Sequence, residues 1–430
     1  MIWGTFPPMP DALPPVHQTP DEFRAAGHAA VDWLADFLAG ISDRPIIPDV
    51  APGDVRASLP ARAPEVAEPF EALLDDIDQL IAPALTQWQH PGFYGYFPCN
   101  SSPPSVLGDL LSSGLGTQGM LWSTGPACTE LETHVLDWLV DLCGLPDRFG
   151  SDGPGGGVIQ DSASSATLCA ILAARDRSGG AAVLSNLVAY TSSQAHSSVE
   201  KGVRVAGFAA DQLRSIATDA DHAMDPVALA AAIAADREAG LVPCVVVATV
   251  GTTSSGAIDP LPAIAEVASA AGAWLHVDAA WAGSAAVCPE FQHLLDGLDR
   301  ADSYCFNPHK WLLTNFDCTA FYVADRGPLL ESLSILPEYL RNAASDAGEV
   351  IDYRDWQVPL GRRFRSLKLW FVLRSYGAEG LRAHIRHHVA AATALAERIH
   401  VNPRLDLAAP RSLALVCLRH VDGDEATEAL

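Results

Sequence analysis

The chain has 430 residues, 49% of them apolar and 18% charged, with a formal net charge of −25 at pH 7; it can bury a sizeable core, and its charge argues against nucleic-acid partners and anionic membranes. Its nine cysteines are scattered, without a CxxC pair or a Cys/His cluster, so neither a disulfide framework nor a metal site is indicated. The N-terminal MIWGTFPPMPDALPP carries no visible secretory signal, and the longest apolar run, Leu241–Val250, is ten residues, too short to span a bilayer; a cytoplasmic protein is expected.

The first twenty residues are Pro-rich. Thr19-Pro20-Asp21-Glu22 then predicts a helix start, with Thr19 as N-cap, proline at the first helical position and Glu22 completing a capping box. Val31, Leu34, Leu38 and Ile41 continue an apolar stripe at helical spacing. Prolines at 45, 48, 52, 60 and 64 lead to a second amphipathic helix over Phe70–Ile81. Helices jointed by prolines lack a core of their own, which suggests packing against a partner subunit. From about residue 103 the texture changes. Continuous apolar runs, Ala181–Val183, Cys244–Val250, Ala273–Val277 and Ser303–Phe306, alternate with Ala- and Leu-rich helical stretches. This predicts an α/β fold with a mostly parallel sheet covered on both faces. Two helices follow, Arg363–Tyr376 and Ala378–Ile399, then a strand over Leu413–Leu418 and the start of another helix. No internal repeat or low-complexity tract is found.

In such sheets ligands bind at the carboxyl ends of strands. WLHVDAAWAG (274–283) ends a strand in Asp278, which reads either as a helix-capping aspartate or as a buried carboxylate with a cationic partner. FNPHKWLL (306–313) places Lys310 one helix–strand unit later. Lysine is rarely buried unless paired; it either snorkels along the surface or sits in a low-dielectric pocket as a Schiff-base nucleophile. In GGGVIQDSASSATL (155–168) small residues open a helix whose N–H groups can cradle an anion; without the ending of a nucleotide P-loop, a monophosphate suits it better than a pyrophosphate. His196 stands in a polar turn after a strand, and Thr252 and Thr253 end another. An amine, a carboxylate, a phosphate cradle, an aromatic stacker and a hydroxyl donor together match the needs of pyridoxal phosphate.

The sequence resembles the aromatic-L-amino-acid decarboxylases, the group II pyridoxal-phosphate decarboxylases. The resemblance is carried by HPGFYGYFP (90–98), PACTELETHVLDWL (126–139), GVIQDSASSATL (157–168), QAHSSVEKG (194–202), ATVGTT (248–253), HVDAAWAGSAAVCPEF (276–291), FNPHKWLLTNFDC (306–318) and WQVPLGRRFRSLKLWFVLRSYG (356–377). It implies the aspartate-aminotransferase-like, fold-type I architecture and a homodimer. The implied division is an N-terminal helical dimerisation segment (1–102), a large cofactor-binding α/β domain (103–367) and a small C-terminal domain (368–430).

Residue by residue, the resemblance implies that Lys310 holds the cofactor's aldehyde, preceded by His309, and that Asp278 pairs with the pyridinium. His196 stacks on one ring face and Ala280 packs the other. Ala163, Ser164 and Asn307 surround the phosphate, and Thr253 lies near the polar edge. Trp88, Tyr96 and Pro98 line an aromatic side-chain pocket; Tyr339 sits on a mobile loop as proton donor, where the family's aldehyde synthases carry phenylalanine. Gly361 leaves room where members of other preference carry serine, favouring indole or catechol substrates over histidine. Cys99 replaces a common threonine and Trp281 a common tyrosine, and Asp161 is an unhelpful charge beside a phosphate. The chain ends earlier than family members usually do, so the small domain is expected to be incomplete. Decarboxylation of an aromatic L-amino acid is the implied activity. The alternatives are an aldehyde synthase, another fold-type I reaction, or a silent truncated cofactor-binding protein.

Overall fold

The computed structural model describes residues 18–97, 101–335 and 350–430. It divides into two compact units, Met1–Pro98 and Cys99–Leu430. In the first unit, helix α1 spans Pro20–Ala39 behind the expected capping box: Glu22 N–H donates to Thr19 Oγ1 (3.3 Å), and Thr19 N–H donates to the Glu22 carboxylate (2.7 Å). No residue of α1 is buried. A short helix α2 (Asp54–Ser58) follows. The expected second helix is present as α3 (Phe70–Asp76), continued by a π-helical turn over Ile77–Ile81.

The second unit opens with α4 (Pro103–Leu115) and α5 (Pro126–Cys143). It is built on a seven-stranded sheet: β1 Gly156–Gln160, β2 Leu187–Ser192, β3 Leu213–Ile216, β4 Val242–Thr249, β5 Trp274–Asp278, β6 Ser303–Phe306 and β7 Thr319–Val323. The strand order is β1-β7-β6-β5-β4-β2-β3, and β7 alone runs antiparallel to its neighbours, so β1, β2, β4, β5 and β6 all end at the same edge. Strands β1, β2, β5, β6 and β7 are buried along their whole length, as continuous apolar runs require of a sheet covered on both faces. The covering helices are α6 (Ala163–Arg177), α7 (Ser197–Val205), α8 (Pro226–Glu238), α9 (Leu261–Ala271), the short α10 (Pro308–Trp311) and α11 (Gly327–Leu333). Alanines 163, 166, 170, 173 and 174 of α6 form the buried face that lies on the sheet.

Two strand expectations are corrected. Ala181–Val183 lies in a 3₁₀ stretch, Gly180–Asn186, entered through Gly179 and Gly180 at φ 111° and 67°; the strand starts at Leu187, where larger residues begin. Leu413–Leu418 is mostly turn, with Leu413 at φ 48°; only its end enters β9 (Leu418–His420), paired with β8 (Leu405–Leu407). The two expected C-terminal helices are present: the stretch α12 (Arg365–His400) is two helices that meet at a kink where Gly377 adopts φ 61° and ψ 173°. It meets the segment around Lys310 at two points: Arg365 pairs with Asp317 (2.9 Å), and Trp311 Nε1–H donates to His388 Nδ1 (3.0 Å). The last short helix is α13 (Asp424–Glu428). No helix among the described residues is long and apolar enough to cross a membrane.

Helices α4 and α12 touch backbone to backbone at Gly108. A Cβ there would lie 2.7 Å from the Lys368 Cα, and Lys368 itself is fully buried, its ammonium 3.5 Å from Asp109. Gly108→Ala must push the helices apart, so it is expected to cost about 1–3 kcal/mol of stability by chemical denaturation; an unchanged midpoint would show that the contact relaxes freely.

Candidate active site

The common strand edge gathers most of the residues expected there. Asp278 is the last residue of β5 and is 4% exposed. Its Oδ1 accepts the Ala280 N–H at 3.0 Å, a turn-type contact two residues on, so the aspartate is both a local cap and a buried carboxylate. Burial raises its pKa, while the charges of Lys310 and His196, the Ala280 N–H and the Cys305 thiol each favour ionisation.

Strand β6 ends at Phe306 and the chain turns through Asn307 into α10, which carries His309 and Lys310. Asn307 is buried. Its N–H donates to Ala280 O (2.8 Å), its carbonyl accepts the Lys310 N–H (2.9 Å), and its Oδ1 accepts the Thr319 hydroxyl (2.9 Å). These bonds bind the segments after β5 and β6 to one another. His309 is buried too, and its Nδ1 accepts the Cys318 N–H at 3.0 Å. Burial first, then the neighbouring Lys310 charge, push its pKa down to about 4, so the ring is neutral and braces the Lys310–Cys318 loop.

After β1, Ser162 caps α6 by accepting the Ser165 N–H (3.3 Å) and donates its hydroxyl to Asp161 (3.2 Å). Ala163 and Ser164 therefore occupy the first turn, where N–H groups have no partner within the helix. After β2, His196 is the exposed N-cap of α7; its Nδ1 accepts the Ser198 N–H (3.2 Å), which fixes the ring's orientation. After β4 the two threonines part company. Thr252 is buried and bonded to Ser255 and Ala257, whereas Thr253 is exposed. Ala280 is partly buried against the core. Gly361 borders a cavity of about 390 Å³ together with Ser112, Thr117, Gln118, Arg362 and Phe364.

In the first unit, Trp88 and Tyr96 stack with centroids 5.6 Å apart, and both are solvent-exposed. Pro98, Cys99 and Tyr339 lie outside the described residues. Sequence reasoning missed a buried ion pair against β1, Arg362 with Glu132. Arg362 also donates to Gly119 O (3.1 Å) and Ile159 O (2.9 Å), while Glu132 accepts the Ile159 N–H (2.7 Å). The arginine was visible in PLGRRF, but nothing local in the sequence joins it to a glutamate 230 residues away.

The sequence profile described as the pyridoxal-dependent decarboxylase conserved domain matches residues 52–421. Aromatic-L-amino-acid decarboxylase of Rattus norvegicus is 46% identical over 422 residues, spanning 95% of this chain and 87% of that protein. Phenylacetaldehyde synthase of Arabidopsis thaliana is 48% identical over 406 residues, spanning 93% and 83%. The crystal structure of Oryza sativa TDC with PLP and tryptamine superposes with a TM-score of 0.94 at 43% identity, covering 97% of this chain and 88% of that one. A profile match over most of the chain and a shared fold-type I architecture lead to one assignment: the chain belongs to the pyridoxal-dependent decarboxylase family.

Proposed function

We propose that this protein is a pyridoxal-phosphate-dependent carboxy-lyase that converts aromatic L-amino acids to arylalkylamines and carbon dioxide, acting as a cytoplasmic homodimer. The observation that carries the reading is the placement of a buried carboxylate, Asp278, at the end of β5 with Lys310 in the short helix that follows the adjacent parallel strand β6, near enough for its charge to favour ionisation of the carboxylate.

The residues fit the cofactor. Burial opposes Asp278's ionisation, and a protonated ring nitrogen is the partner that a buried carboxylate calls for. The first turn of α6 supplies N–H donors and a favourable dipole for a phosphate dianion. Thr319 occupies the Asn307 Oδ1, so its amide N–H₂ is the end left to donate. When bound, pyridoxal phosphate supplies an electron sink for the pair released as the substrate carboxylate departs.

The remaining work falls to the chain itself. Lys310 Nζ is the anchoring amine. Asp278 keeps the proton on the ring nitrogen. His196, its ring held through Nδ1, covers one face with Ala280 on the other, and Thr253 stands at the polar edge. Gly361 leaves the side-chain cavity open toward Gln118, whose Oε1 would be 3.6 Å from an added Cβ, which supports indole and catechol substrates. With tryptophan, 5-hydroxytryptophan, DOPA, tyrosine, phenylalanine and histidine offered in turn, amine should form from the indole or catechol members and little from histidine. Lys310→Ala should abolish turnover while leaving the fold intact by circular dichroism; normal turnover in this variant would sink the assignment.

A second reading, aldehyde synthase, is favoured by the 48% identity to phenylacetaldehyde synthase. Tyr339 divides the two. We assign it, from the sequence and the family resemblance, the protonation of the substrate α-carbon. A phenol with pKa near ~10 still donates at neutral pH, and a general acid contributes about 10²–10⁴-fold. The wild type should release amine with little peroxide or ammonia. Tyr339→Phe should slow amine release and, in air, divert product to aldehyde with peroxide and ammonia. Unchanged amine production without peroxide would exclude Tyr339 as the donor.

The homodimer is supported by α4, whose Leu107, Leu110, Leu111 and Leu115 are 44–66% exposed at helical spacing on one stripe, and by α1, which buries nothing. Light scattering should find a particle of twice 45.5 kDa, and Leu111→Asp should shift it toward the monomer. A wild-type monomer would contradict the proposal.

A further inference from the structure

Beneath Asp278 lies a run of buried polar groups that the chemistry above leaves unused. Trp274, His276 and Asp278 alternate along β5, so they share one face of the sheet. In register beside them on β6, Ser303 pairs with His276 and Cys305 with Asp278. Thr167 reaches the same place from α6. All of these side chains are in the core, with exposures of 0–4%.

Their hydrogen bonds have a direction. An indole N–H can only donate, and Trp274 Nε1 donates to Ser303 Oγ at 2.7 Å. The same oxygen lies 2.9 Å from His276 Nδ1. Desolvation pushes the His276 pKa down to about 3, so the ring remains neutral. Its Nε2 faces Thr167 Oγ1 at 3.3 Å and Cys305 Sγ at 3.8 Å. Burial, then the nearby Asp278 charge, hold the Cys305 thiol protonated, so it has a hydrogen to give, and its Sγ stands 3.9 Å from Asp278 Oδ1. That oxygen also takes the Ala280 N–H. Two donors converge on Oδ1, and no group among the described residues donates to Oδ2.

We propose that Cys305, oriented by His276, is a positioning residue that holds Asp278 by Oδ1 and so presents Oδ2 to the cofactor's ring nitrogen. This rests on the assignment of Asp278 to that nitrogen. A cysteine that only filled space would leave the carboxylate free to rotate, and its loss would be felt equally whether or not residue 278 carried a charge.

The test compares holoenzymes by cofactor dissociation constant and by kcat and KM. Cys305→Ala should weaken cofactor binding about fivefold, the scale of one ordinary intramolecular hydrogen bond, and lower kcat with KM unchanged. Cys305→Ser, which still donates, should recover most of the loss. In an Asp278→Asn background, Cys305→Ala should add nothing, because the two act as one unit. Cys305→Val, closer in volume, replaces the alanine variant should that prove insoluble. Wild-type cofactor binding in Cys305→Ala, or the same loss with Asp278→Asn already present, overturns the proposal. If Asp278→Asn alone leaves cofactor binding unchanged, the assignment of Asp278 fails first, a result distinct from failure of the Cys305 contact.

Discussion

A carboxylate taken out of water is the constraint around which the polar edge of the sheet is arranged. Burying an isolated charge costs several kcal/mol even after relaxation, and Asp278 is buried at the centre of a seven-stranded sheet. The groups that favour its ionised form come from different places: Lys310 after β6, His196 after β2, the Ala280 N–H on the next turn, and Cys305 on the neighbouring strand. They converge because β2, β4, β5 and β6 run parallel and end together. An antiparallel neighbour would have brought a strand's beginning to that edge instead.

A buried ion pair elsewhere in the second unit does a different task. Glu132 and Arg362 join α5, the end of β1 and the segment leading into α12, with carbonyls of Gly119 and Ile159 taking further guanidinium hydrogens. The Arg362 guanidinium also lies 4.8 Å from the centroid of the Tyr353 ring. This pair fixes the end of the strand that leads into α6, so the first turn of α6 and the Asp278 carboxylate are held by separate electrostatic anchors. Removing one partner of such a pair leaves an uncompensated charge, at about 3–5 kcal/mol.

Much of this was legible in the chain because α/β sheets write their strands as unbroken apolar runs and put chemistry at the ends. Ser303–Phe306 has the expected bounds, and β4 and β5 lie within two residues of theirs. Asp278 stood out as a charged residue directly after such a run, and Lys310 as one four residues beyond the next. The misplaced strand at Ala181–Val183 shows the weakness of the signal: three small apolar residues suit a tight helical turn as well as a strand, and only the larger Leu187-Val188-Ala189-Tyr190 has the bulk to fill a two-sided core. His276, Cys305 and Thr167 could not be singled out, since each reads as ordinary strand or helix interior. Their meaning comes from strand register and from α6 lying over β5, neither of which is local in sequence.

Helix α12 reaches the segment carrying Lys310 at two points, Arg365 on Asp317 and His388 on Trp311, with Gly377 between them. Two attachments on either side of a bend make it a gauge: the residues from 365 to 388 must match a fixed span and a fixed angle at Gly377. One inserted or deleted residue within a helical stretch turns everything beyond it by about 100° and carries His388 away from the indole it serves. Side-chain replacement along the exposed flank of this stretch is therefore tolerable where a change in its length is not, and the evolutionary freedom of the helix lies in its composition and not in its count.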